Sequence, residues 1–494
     1  MSVIQLDPTI VRPVPELIER GPLKLFIDGG WVAASTGETF ESIDPATGEV
    51  LTTIANGSAD DVDRAVRAAR RAFEDPSWSE MAPYQRSRIL LQIADVLEAH
   101  TDELATLNSR DMGGPFWLTR LEIGIAVEVF RHYAGWPTKL YGQVAPSDPS
   151  SFNYVLRQPL GVVAAITAWN GPSLQPAWKI APALATGNTV VHKPADWSSL
   201  SAVRFAELLA ETDLPRGVFN LVTGDGAGTG EALVRHPGVN KITFTGSTPV
   251  GRHIAEVASV DFKHVTLELG GKGPVIVFAD ADLSQAARAA ALGFCLGSGQ
   301  GCVAGSRIFV HSSVKDEFRA LLLEEMRSFT LGDPFDPASQ MGPLASKQHY
   351  DRVKGYLDAA RQHGATVESV GTTDSGLYLA PTLIENTTND ALTSREEIFG
   401  PVASLMEFTD FDEAIRAGND TVYGLAATVF TRDLETAHRA ARLLDAGTVW
   451  INTANEVSAG AMPFGGFKQS GIGREHGTQV LDAYTEVKSV IVRY

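Results

Sequence analysis

From Gly161 onward the chain alternates short apolar runs with amphipathic stretches of helical period, and glycine-bearing turns separate them. The first series of apolar runs covers residues 162–168, 189–192, 218–222, 241–245 and 265–269. Between them lie helical patterns at residues 200–211, 231–235 and 249–257. Because parallel strands need a crossover connection, usually a helix, this alternation predicts an α/β fold with a parallel, doubly wound sheet.

A second series of the same kind predicts a second α/β unit. Its apolar runs cover residues 274–278, 307–310, 403–408 and 448–452. Its helical patterns cover residues 283–296, 314–328, 411–418 and 434–444. We place the boundary near Gly270 and Gly271, so that the first unit includes residues 1–136 and 160–270 and the second includes residues 271–470.

Two strand-like runs, at residues 152–157 and 487–493, fall outside both units. They belong to the remaining segments, 137–159 and 471–494. The C-terminal run would leave an unpaired edge on its own, and pairing with another subunit would cover that edge. We therefore expect a homo-oligomer.

The region before residue 136 is mainly helical in pattern. Ser58 and Asp61 form a capping-box-like pair at the start of a helix predicted over residues 58–73. Apolar residues recur on one face of this helix and of two further helices, predicted over residues 84–98 and 118–133.

The composition excludes several classes of function. The chain has 494 residues and a formal net charge of −18, whereas a surface that binds nucleic acid needs positive charge. Its two cysteines, Cys295 and Cys302, belong to no CxxC motif or Cys/His cluster, so we expect neither a disulfide nor a metal site. Residues 1–20 lack the apolar core of a signal peptide, and no run approaches the roughly 18 apolar residues of a membrane span. We predict a cytoplasmic protein that does not bind a membrane.

Cys302 follows three glycines, Gly297, Gly299 and Gly301. Glycines allow a sharp turn that brings a substrate or cofactor close to the sulfur. A helix starting here would lower the pKa of the thiol through its free N–H groups and could bind an oxyanion. A buried structural cysteine is the alternative, and Cys295, in an apolar helical stretch, fits that description better.

Glu268 ends an apolar strand and is followed by two glycines and Lys272. Partial desolvation there raises the pKa of a carboxyl toward the range useful to a general base, and an ion pair with Lys272 is the alternative. A thiolate adds to an aldehyde carbon, and a nearby carboxylate can activate water against the resulting thioester. The pair therefore favours oxidation of an aldehyde to an acid.

Asn170 follows Trp169 at the C-terminal end of a predicted strand, where open α/β sheets bind their ligands. Its side-chain amide can stabilise the oxyanion of a tetrahedral intermediate. The alternative is an asparagine that forms a turn before Gly171 and Pro172.

Two further strand ends carry residues suited to a dinucleotide. The run from Gly246 to Gly251 opens a helix whose N–H groups, with the Ser247 hydroxyl, can hold a pyrophosphate, although it lacks GxGxxG spacing. Lys193 and Asp196 follow the strand at residues 189–192, where an acidic group can accept hydrogen bonds from ribose hydroxyls or cap a helix.

Together these positions resemble the hydrolytic, NAD(P)-dependent aldehyde dehydrogenase superfamily over about residues 23–492. The most specific segments are Leu-Glu-Leu-Gly-Gly-Lys at 267–272, Gly-Gln-Gly-Cys at 299–302, Glu-Glu-Ile-Phe-Gly-Pro at 396–401 and the run at 463–475. The resemblance implies a Rossmann-like NAD-binding domain at residues 1–136 and 160–270 and an α/β catalytic domain at 271–470. It also implies a small bridging β-sheet, from residues 137–159 and 471–494, that makes dimers or tetramers.

The resemblance also implies a role for each matching residue. Cys302 would be the nucleophile, Asn170 and the Cys302 backbone N–H would form the oxyanion hole, and Glu268 would activate the hydrolytic water. Lys179 and Glu475 match a proton relay behind that base. The implied NAD-binding residues are Ile166, Thr167, Trp169, Lys193, Asp196, Gly226, Phe244, Gly246, Ser247, Leu269, Glu397 and Phe399. The implied walls of the substrate pocket are Gly171, Trp178, Val303, Val457 and Phe464.

Two residues depart from the family's pattern. Asp196 stands where glutamate is usual, and on charge grounds we expect NAD, with NADP as the alternative. Gly171 stands where a bulky aromatic residue is common, which predicts a wider entrance and an uncharged, fairly bulky aldehyde.

Other functions stay open at this point. A CoA-acylating semialdehyde dehydrogenase would resolve the thioester with CoA, and Glu268 argues against it because such an enzyme needs no hydrolytic base. A catalytically inactive binding or structural homologue would have no use for Cys302, Glu268 and Asn170 together. A thiol hydrolase without a cofactor would need a Cys/His pair, which no sequence pattern indicates.

Overall fold

The computed structural model describes residues 9–371, 376–456 and 460–494. Its strands are, in chain order, β1 (Leu25–Ile27), β2 (Gly30–Val32), β3 (Thr39–Ile43), β4 (Val50–Ala55), β5 (Gln143–Ala145), β6 (Ser151–Pro159), β7 (Val162–Ile166), β8 (Thr189–Lys193), β9 (Phe219–Leu221), β10 (Lys241–Thr245), β11 (His264–Glu268), β12 (Pro274–Val277), β13 (Arg307–His311), β14 (Thr366–Ser369), β15 (Thr382–Glu385), β16 (Val402–Phe408), β17 (Ala426–Phe430), β18 (Thr448–Ile451), β19 (Gly471–Ile472) and β20 (Thr485–Arg493). Its α-helices are α1 (Glu16–Glu19), α2 (Ala59–Glu74), α3 (Pro76–Ser79), α4 (Pro83–Ala99), α5 (Thr101–Met112), α6 (Phe116–Ala134), α7 (Leu174–Ala185), α8 (Leu200–Ala210), α9 (Glu231–Arg235), α10 (Thr248–Val260), α11 (Leu283–Cys295), α12 (Lys315–Ser328), α13 (Lys347–Gln362), α14 (Leu392–Arg395), α15 (Phe411–Asn419), α16 (Leu434–Leu443) and α17 (Gln479–Ala483).

The first predicted series of strands forms a sheet whose order, among the described residues, is β19-β11-β10-β7-β8-β9-β1-β2. The central strands β11, β10, β7, β8 and β9 run parallel, as the alternation of strands and helices predicts. Antiparallel β1 and β2 extend one edge, and antiparallel β19 extends the other. The pairing of Glu268 with Gly471 places the C-terminal part of the chain beside β11.

Strand β7 is covered on both faces, as expected for a doubly wound sheet. Val163 and Ala165 pack into one hydrophobic cluster, together with residues of α4, α6 and α7. Val162 and Ala164 point the other way, into a cluster that includes apolar residues of α2. The sheet is therefore packed between two layers of helices, which hold the ends of its strands in position.

The four strands of the second predicted series, β12, β13, β16 and β18, lie in a sheet with the order β14-β15-β16-β13-β12-β17-β18 in the described chain. Strands β14, β15 and β17 were not predicted from the sequence. All neighbours run parallel except β14 and β15, which are antiparallel. Val275 and Val277 of β12 face one hydrophobic cluster and Ile276 faces another, so this sheet is also covered on both faces. The prediction of two α/β units is confirmed.

The two strands predicted outside these units pair with each other. Strand β20 runs antiparallel to β6, from Thr485 opposite Pro159 to Arg493 opposite Ser151, and β5 lies on the other side of β6. In the described residues β20 has no second neighbour, and its Ile491 side chain is 77 % exposed. The pairing of this edge with another subunit stays a prediction.

The N-terminal helices follow the predicted ranges. Helix α2 begins after Ser58, whose side chain accepts from the Asp61 N–H while the Asp61 carboxylate accepts from the Ser58 N–H. This reciprocal pair is the predicted capping box. None of the helices that the structure describes is long and apolar enough to cross a membrane.

Candidate active site

The C-terminal ends of β7, β10 and β11 face loops of the second sheet across a cleft of about 160 Å³. Nine of the residues predicted from the sequence line it: Trp169, Asn170, Gly246, Ser247, Glu268, Leu269, Cys302, Glu397 and Phe399. These residues come from several segments far apart in the chain. The fold therefore brings the predicted nucleophile, base and amide donor into one cavity.

A left-handed turn at residues 297–299 precedes Cys302 and places it in this cleft. Helix α11 ends at Cys295, and Gly297, Ser298 and Gly299 follow with φ angles of 57°, 58° and 69°. Ser298 adopts this unfavourable conformation while its hydroxyl donates to the Gly342 carbonyl at 2.7 Å. The glycines thus provide the sharp turn expected from the sequence, and Cys302 is half-buried at the cleft.

No helix begins at Cys302, since residues 300–306 form a turn and irregular backbone before β13. Burial, together with the nearby carboxylates of Glu397 and Glu268, raises the pKa of the Cys302 thiol to about 12. Backbone N–H groups at Cys302 and Val303 oppose this rise only in part. The condition for a lowered thiol pKa, a helix that begins at Cys302, is therefore not met, and the pKa is raised instead. Cys295 is fully buried, as expected of a structural cysteine.

Glu268 ends β11 with its side chain in the cleft, and the residue is 4 % exposed. Neither carboxylate oxygen has a hydrogen-bond partner among the described residues, and neither does Lys272 Nζ, so the alternative of a Glu268–Lys272 ion pair is wrong. Burial raises the pKa of Glu268 well above its ordinary value, and the negative charge of Glu475 adds to this effect. The side chain thus has the desolvated setting of a general base.

Lys179 and Glu475 form a buried ion pair behind Glu268, with Lys179 Nζ donating to Glu475 Oε1. The Thr243 hydroxyl donates to the same carboxylate oxygen at 3.3 Å. Helix α7 supplies the lysine, β10 supplies the threonine, and the segment after β19 supplies the glutamate. The two residues that the resemblance assigns to a relay therefore lie in direct contact.

Asn170 is held at both ends of its amide. Its Nδ2 donates to the Gln300 carbonyl at 2.9 Å, and its Oδ1 accepts from Gln175 Nε2 at 2.9 Å. These partners lie on other segments, so the amide does not serve the local turn that was the alternative interpretation. The Gln300 contact ties Asn170 to the loop of Cys302.

The two most specific motifs touch through their backbones. A Cβ built on Gly271 would lie 2.2 Å from the Cys302 carbonyl oxygen, so only glycine fits at this position. The Gly271 N–H donates to Glu397 Oε1 at 2.9 Å. The motif at residues 396–401, which contains Glu397, therefore also contacts Gly271. Burial raises the pKa of Glu397 to about 7.

Under the aldehyde dehydrogenase activity that the motif resemblance implies, Gly271→Ala is expected to lower the rate of the first turnover by about 100-fold, since a displacement of the reacting group by about 1 Å costs this much. The rate is measured as rapid NADH formation after mixing enzyme, NAD and an aldehyde. Gly293→Ala in α11 is the matched control, because its Cβ would meet its nearest neighbour at an ordinary 3.6 Å. A Gly271→Ala enzyme with the wild-type rate and thermal unfolding would show that Cys302 does not depend on this contact.

Aromatic rings build one wall of the cleft. Trp169 meets Phe399 edge-on at 5.4 Å between ring centroids, and it also contacts Trp197 and His349. Phe399 has a left-handed φ of 62°, and its carbonyl accepts from His349 Nε2 at 2.6 Å. Sequence reasoning missed Trp197, His349 and Arg352, which line the cleft without belonging to the recognised motifs.

The other predicted cofactor residues lie around this cleft or outside it. Ile166, Phe244 and Lys193 are buried at or near the ends of parallel strands, and Thr167 bonds to the Lys193 carbonyl through its N–H at 3.2 Å. Gly226 begins a helical turn over Gly226–Gly230. Asp196 lines a neighbouring cavity of about 580 Å³, not the cleft itself. It does not cap α8, because Asp111 Oδ2 accepts from the Leu200 N–H at 2.8 Å.

Trp178 and Phe464 pack at 5.5 Å between ring centroids, and His476 lies edge-on to Trp178 at 4.6 Å. Gly171 is buried, and a Cβ there would lie 3.3 Å from Gln175 Cγ and Nε2, so the Gln175 side chain lies beside it. The wider entrance expected from this glycine stays a prediction. Val303 is half-buried next to Cys302. Val457 lies outside the described residues.

The sequence model of the aldehyde dehydrogenase family matches residues 31–490, which include every residue of the cleft. The chain belongs to the aldehyde dehydrogenase family. The resemblance drawn from the sequence motifs is thereby confirmed, and the chain is an enzyme of this family.

Two curated aldehyde dehydrogenases match over most of this chain. Aldehyde dehydrogenase family 2 member B4, a mitochondrial protein of Arabidopsis thaliana, is 44 % identical over 472 residues, covering 95 % of this chain and 88 % of the relative. The mitochondrial benzaldehyde dehydrogenase of Antirrhinum majus is 43 % identical over the same length, with the same coverage of each chain.

Solved structures of aldehyde dehydrogenases share the fold. The indole-3-acetaldehyde dehydrogenase of P. syringae, a mutant in complex with NAD+ and IAA, is 40 % identical with a TM-score of 0.94, covering 97 % of this chain and 98 % of that one. An aldehyde dehydrogenase from Bacillus cereus, in complex with NAD+, is 42 % identical with a TM-score of 0.94 and full coverage of both chains. The predicted α/β fold class is confirmed.

The cleft of this aldehyde dehydrogenase fits a dinucleotide by its own chemistry. Helix α10 begins just after Ser247, which makes no side-chain cap. In its first turn Pro249 has no N–H and Gly251 donates to the Ser247 carbonyl, so the N–H groups of Thr248 and Val250 are the ones that can bind an anion. The hydroxyl of Thr245 is buried beside them without a hydrogen-bond partner in the described residues. The rings of Trp169 and Phe399 add a flat apolar surface against which a ring of the dinucleotide can pack. The described residues hold no cluster of three or more metal-ligating side chains.

Proposed function

We propose that this enzyme oxidises an uncharged, fairly bulky aldehyde to a carboxylic acid with NAD. The single observation that carries the proposal is the presence of Cys302, Glu268 and the Asn170 amide in one cleft. A nucleophile, a general base and an oxyanion donor are the parts that acyl transfer to water requires.

The proposed sequence of steps follows from these groups. The Cys302 thiol gives its proton to solvent water, and the resulting thiolate adds to the aldehyde carbon, while the Asn170 amide and the Cys302 N–H stabilise the oxyanion. Loss of a hydride from the resulting thiohemiacetal leaves a thioester on Cys302. Glu268 then removes a proton from water, which attacks the thioester and releases the acid. Lys179 and Glu475 carry that proton away from Glu268.

NAD, when bound, supplies the hydride acceptor. The residues proposed to hold it are Trp169, Gly246, Ser247, Leu269, Glu397 and Phe399 in the cleft, with Ile166, Thr167, Lys193, Asp196, Gly226 and Phe244 around it. Asp196 carries a negative charge that disfavours a ribose phosphate, so NAD is preferred to NADP.

Hydrolysis is favoured over transfer to CoA because Glu268 is buried in the same cleft as Cys302. A desolvated carboxylate there would have no task in an enzyme that resolves its thioester with a thiol. Strict dependence of product formation on CoA would decide for the alternative.

The proposed substrate class follows from the aromatic pair Trp178 and Phe464, which offers no charged partner. Relatives named for benzaldehyde and indole-3-acetaldehyde support an uncharged aldehyde with a ring. Val303 is proposed as a further wall of this pocket. Gly171 is proposed to leave space for the Gln175 side chain, which lies next to it.

A matched panel of aldehydes tests this proposal. We expect kcat/KM, measured from NADH absorbance, to be at least about 10-fold higher for phenylacetaldehyde than for acetaldehyde, because a hydrophobic pocket gains about 1–3 kcal/mol per added group. We expect a similar preference for benzaldehyde over 4-carboxybenzaldehyde, which differs only by a charge. The Cys302→Ala enzyme is the blank. Preference for acetaldehyde or the charged partner would overturn the proposed substrate class.

We also propose an oligomeric state, a role for each segment and a cellular location for the enzyme. The exposed edge of β20 would pair with the same edge of a second subunit and make a homodimer or homotetramer. Residues 1–136 with 160–270 would act as the NAD-binding domain, 271–470 as the catalytic domain, and 137–159 with 471–494 as the bridging segments. The proposed location is the cytoplasm.

A further inference from the structure

Gln175, in the first turn of α7, joins the end of β7 to the side chain of Asn170. Its Oε1 accepts from the Ala168 N–H at 2.8 Å, and its Nε2 donates to Asn170 Oδ1 at 2.9 Å. Asn170 in turn donates to the Gln300 carbonyl at 2.9 Å. Gln175 is only 5 % exposed, so water competes little for these bonds. A chain of three hydrogen bonds thus runs from Ala168 to the loop that carries Cys302.

The series of hydrogen bonds ends at a backbone group on each side, and each of these groups can only donate or only accept a hydrogen bond. The Ala168 N–H can only donate, so Gln175 must turn its Oε1 toward it and its NH2 group toward Asn170. The Gln300 carbonyl can only accept, so Asn170 must turn its NH2 group toward the Cys302 loop. One hydrogen of this NH2 group is used by Gln300, and the second stays available to another acceptor.

Gln175 occupies this position because residue 171 is glycine. A Cβ on Gly171 would lie 3.3 Å from Gln175 Cγ and Nε2, which is closer than ordinary contact between such atoms. A large side chain at 171 would take the space that the Gln175 amide fills. Gly171 and Gln175 therefore act as a pair that sets the surroundings of Asn170.

We propose that Gln175 is a positioning residue, which holds the Asn170 amide with its free N–H available to the oxyanion on the Cys302-bound substrate. This inference rests on the proposed function. Without Gln175 only the Gln300 carbonyl still orients the Asn170 amide, so the amide turns its oxygen toward the developing negative charge more often, and oxygen repels that charge. Gln175 acts through Asn170 and contacts no reacting atom.

Two substitutions in the full-length enzyme test this role, with the NADH burst from benzaldehyde as the readout. Gln175→Met keeps the length but loses both hydrogen bonds, and we expect the burst rate to fall about 10-fold. Gln175→Glu still accepts from Ala168 but cannot donate as a carboxylate, so it favours the reversed Asn170 amide. We expect a fall of about 100-fold, comparable to loss of an oxyanion donor. The KM for NAD should change less than about two-fold in both variants, because a positioning role for Asn170 leaves cofactor binding intact.

The same Gln175→Met substitution in an Asn170→Ala background separates positioning from folding. If Gln175 acts only through Asn170, the double variant has the burst rate of Asn170→Ala alone. A further fall of about 10-fold in that background, or an unchanged rate in the single variants, would overturn the inference. Thermal unfolding of each variant reports any loss of fold. A wild-type enzyme that gives no NADH burst would instead overturn the proposed function, and the inference with it.

Discussion

Replacing Cys302 by alanine is expected to abolish NADH formation from every aldehyde, with a loss of at least about 10,000-fold in the steady-state rate. Alanine cannot form the bond to the aldehyde carbon, so hydride loss has no thiohemiacetal to start from. The half-buried sulfur lies in the cleft beside Glu268 and Asn170, and no other cysteine among the described residues lines that cleft. Steady-state absorbance and a rapid-mixing measurement of the first turnover both check this.

Cys295→Ala is the matched control, because Cys295 is fully buried in α11 and belongs to its hydrophobic cluster. We expect this variant to keep its rate within about two-fold and to lose some thermal stability, as removal of a buried side chain does. Titration with a thiol reagent should find one accessible thiol in the wild type and none in Cys302→Ala. Equal loss of activity in the two variants would remove Cys302 from its proposed role.

Replacing Glu268 by glutamine is expected to leave the hydride burst and to slow steady-state turnover by about 100- to 1,000-fold. The first half of the reaction needs only the sulfur and the oxyanion donors, whereas release of the acid needs a base that activates water. The acyl group should therefore stay on Cys302 and be visible by mass spectrometry of the intact protein. An unaltered steady-state rate in this variant would exclude Glu268 from the mechanism.

The pH dependence of acyl release tests the same carboxyl. Burial and the neighbouring charge of Glu475 raise the pKa of Glu268, so the protonated, inactive form persists above the ordinary carboxyl range. Acyl release in the wild type should accordingly speed up as pH rises through this raised pKa, and this limb should be missing in Glu268→Gln. A release rate that is independent of pH in the wild type would contradict the assignment.

Alternation of strands and helices predicted the five parallel strands of the first sheet and four strands of the second, but it missed β14, β15 and β17. It also failed for helices where tertiary contacts hide the pattern. Helix α7 contains Pro182 in its interior and Pro176 in its first turn, so its sequence looks unlike a helix. Helix α5 buries polar residues that a periodicity argument assigns to solvent. Its Asp111 accepts from the Ser42 hydroxyl at 2.6 Å, and its Asn108 donates to Ser173, so these polar groups are paired only in the folded chain.

The site was predictable wherever a motif carries its own chemistry. Cys302, Glu268 and Asn170 were named from local sequence, and the fold places them in one cleft. His349 and Gln175 could not be found in this way, because each bonds to a group whose position or orientation the sequence does not show. His349 bonds to the Phe399 carbonyl, and Gln175 bonds to an amide whose orientation the sequence does not show.

The position of the short strand β19 near the end of the sequence affects the order in which the site is completed during synthesis and folding. It pairs with Leu267 and Glu268, and the residues just after it bring Glu475 against Lys179. During synthesis the ribosome makes Cys302 and Glu268 long before it makes these partners. In the proposed mechanism, a nascent polypeptide therefore carries Cys302 and Glu268 before the Glu475–Lys179 pair can form, and the site is completed only when the C-terminal segment docks.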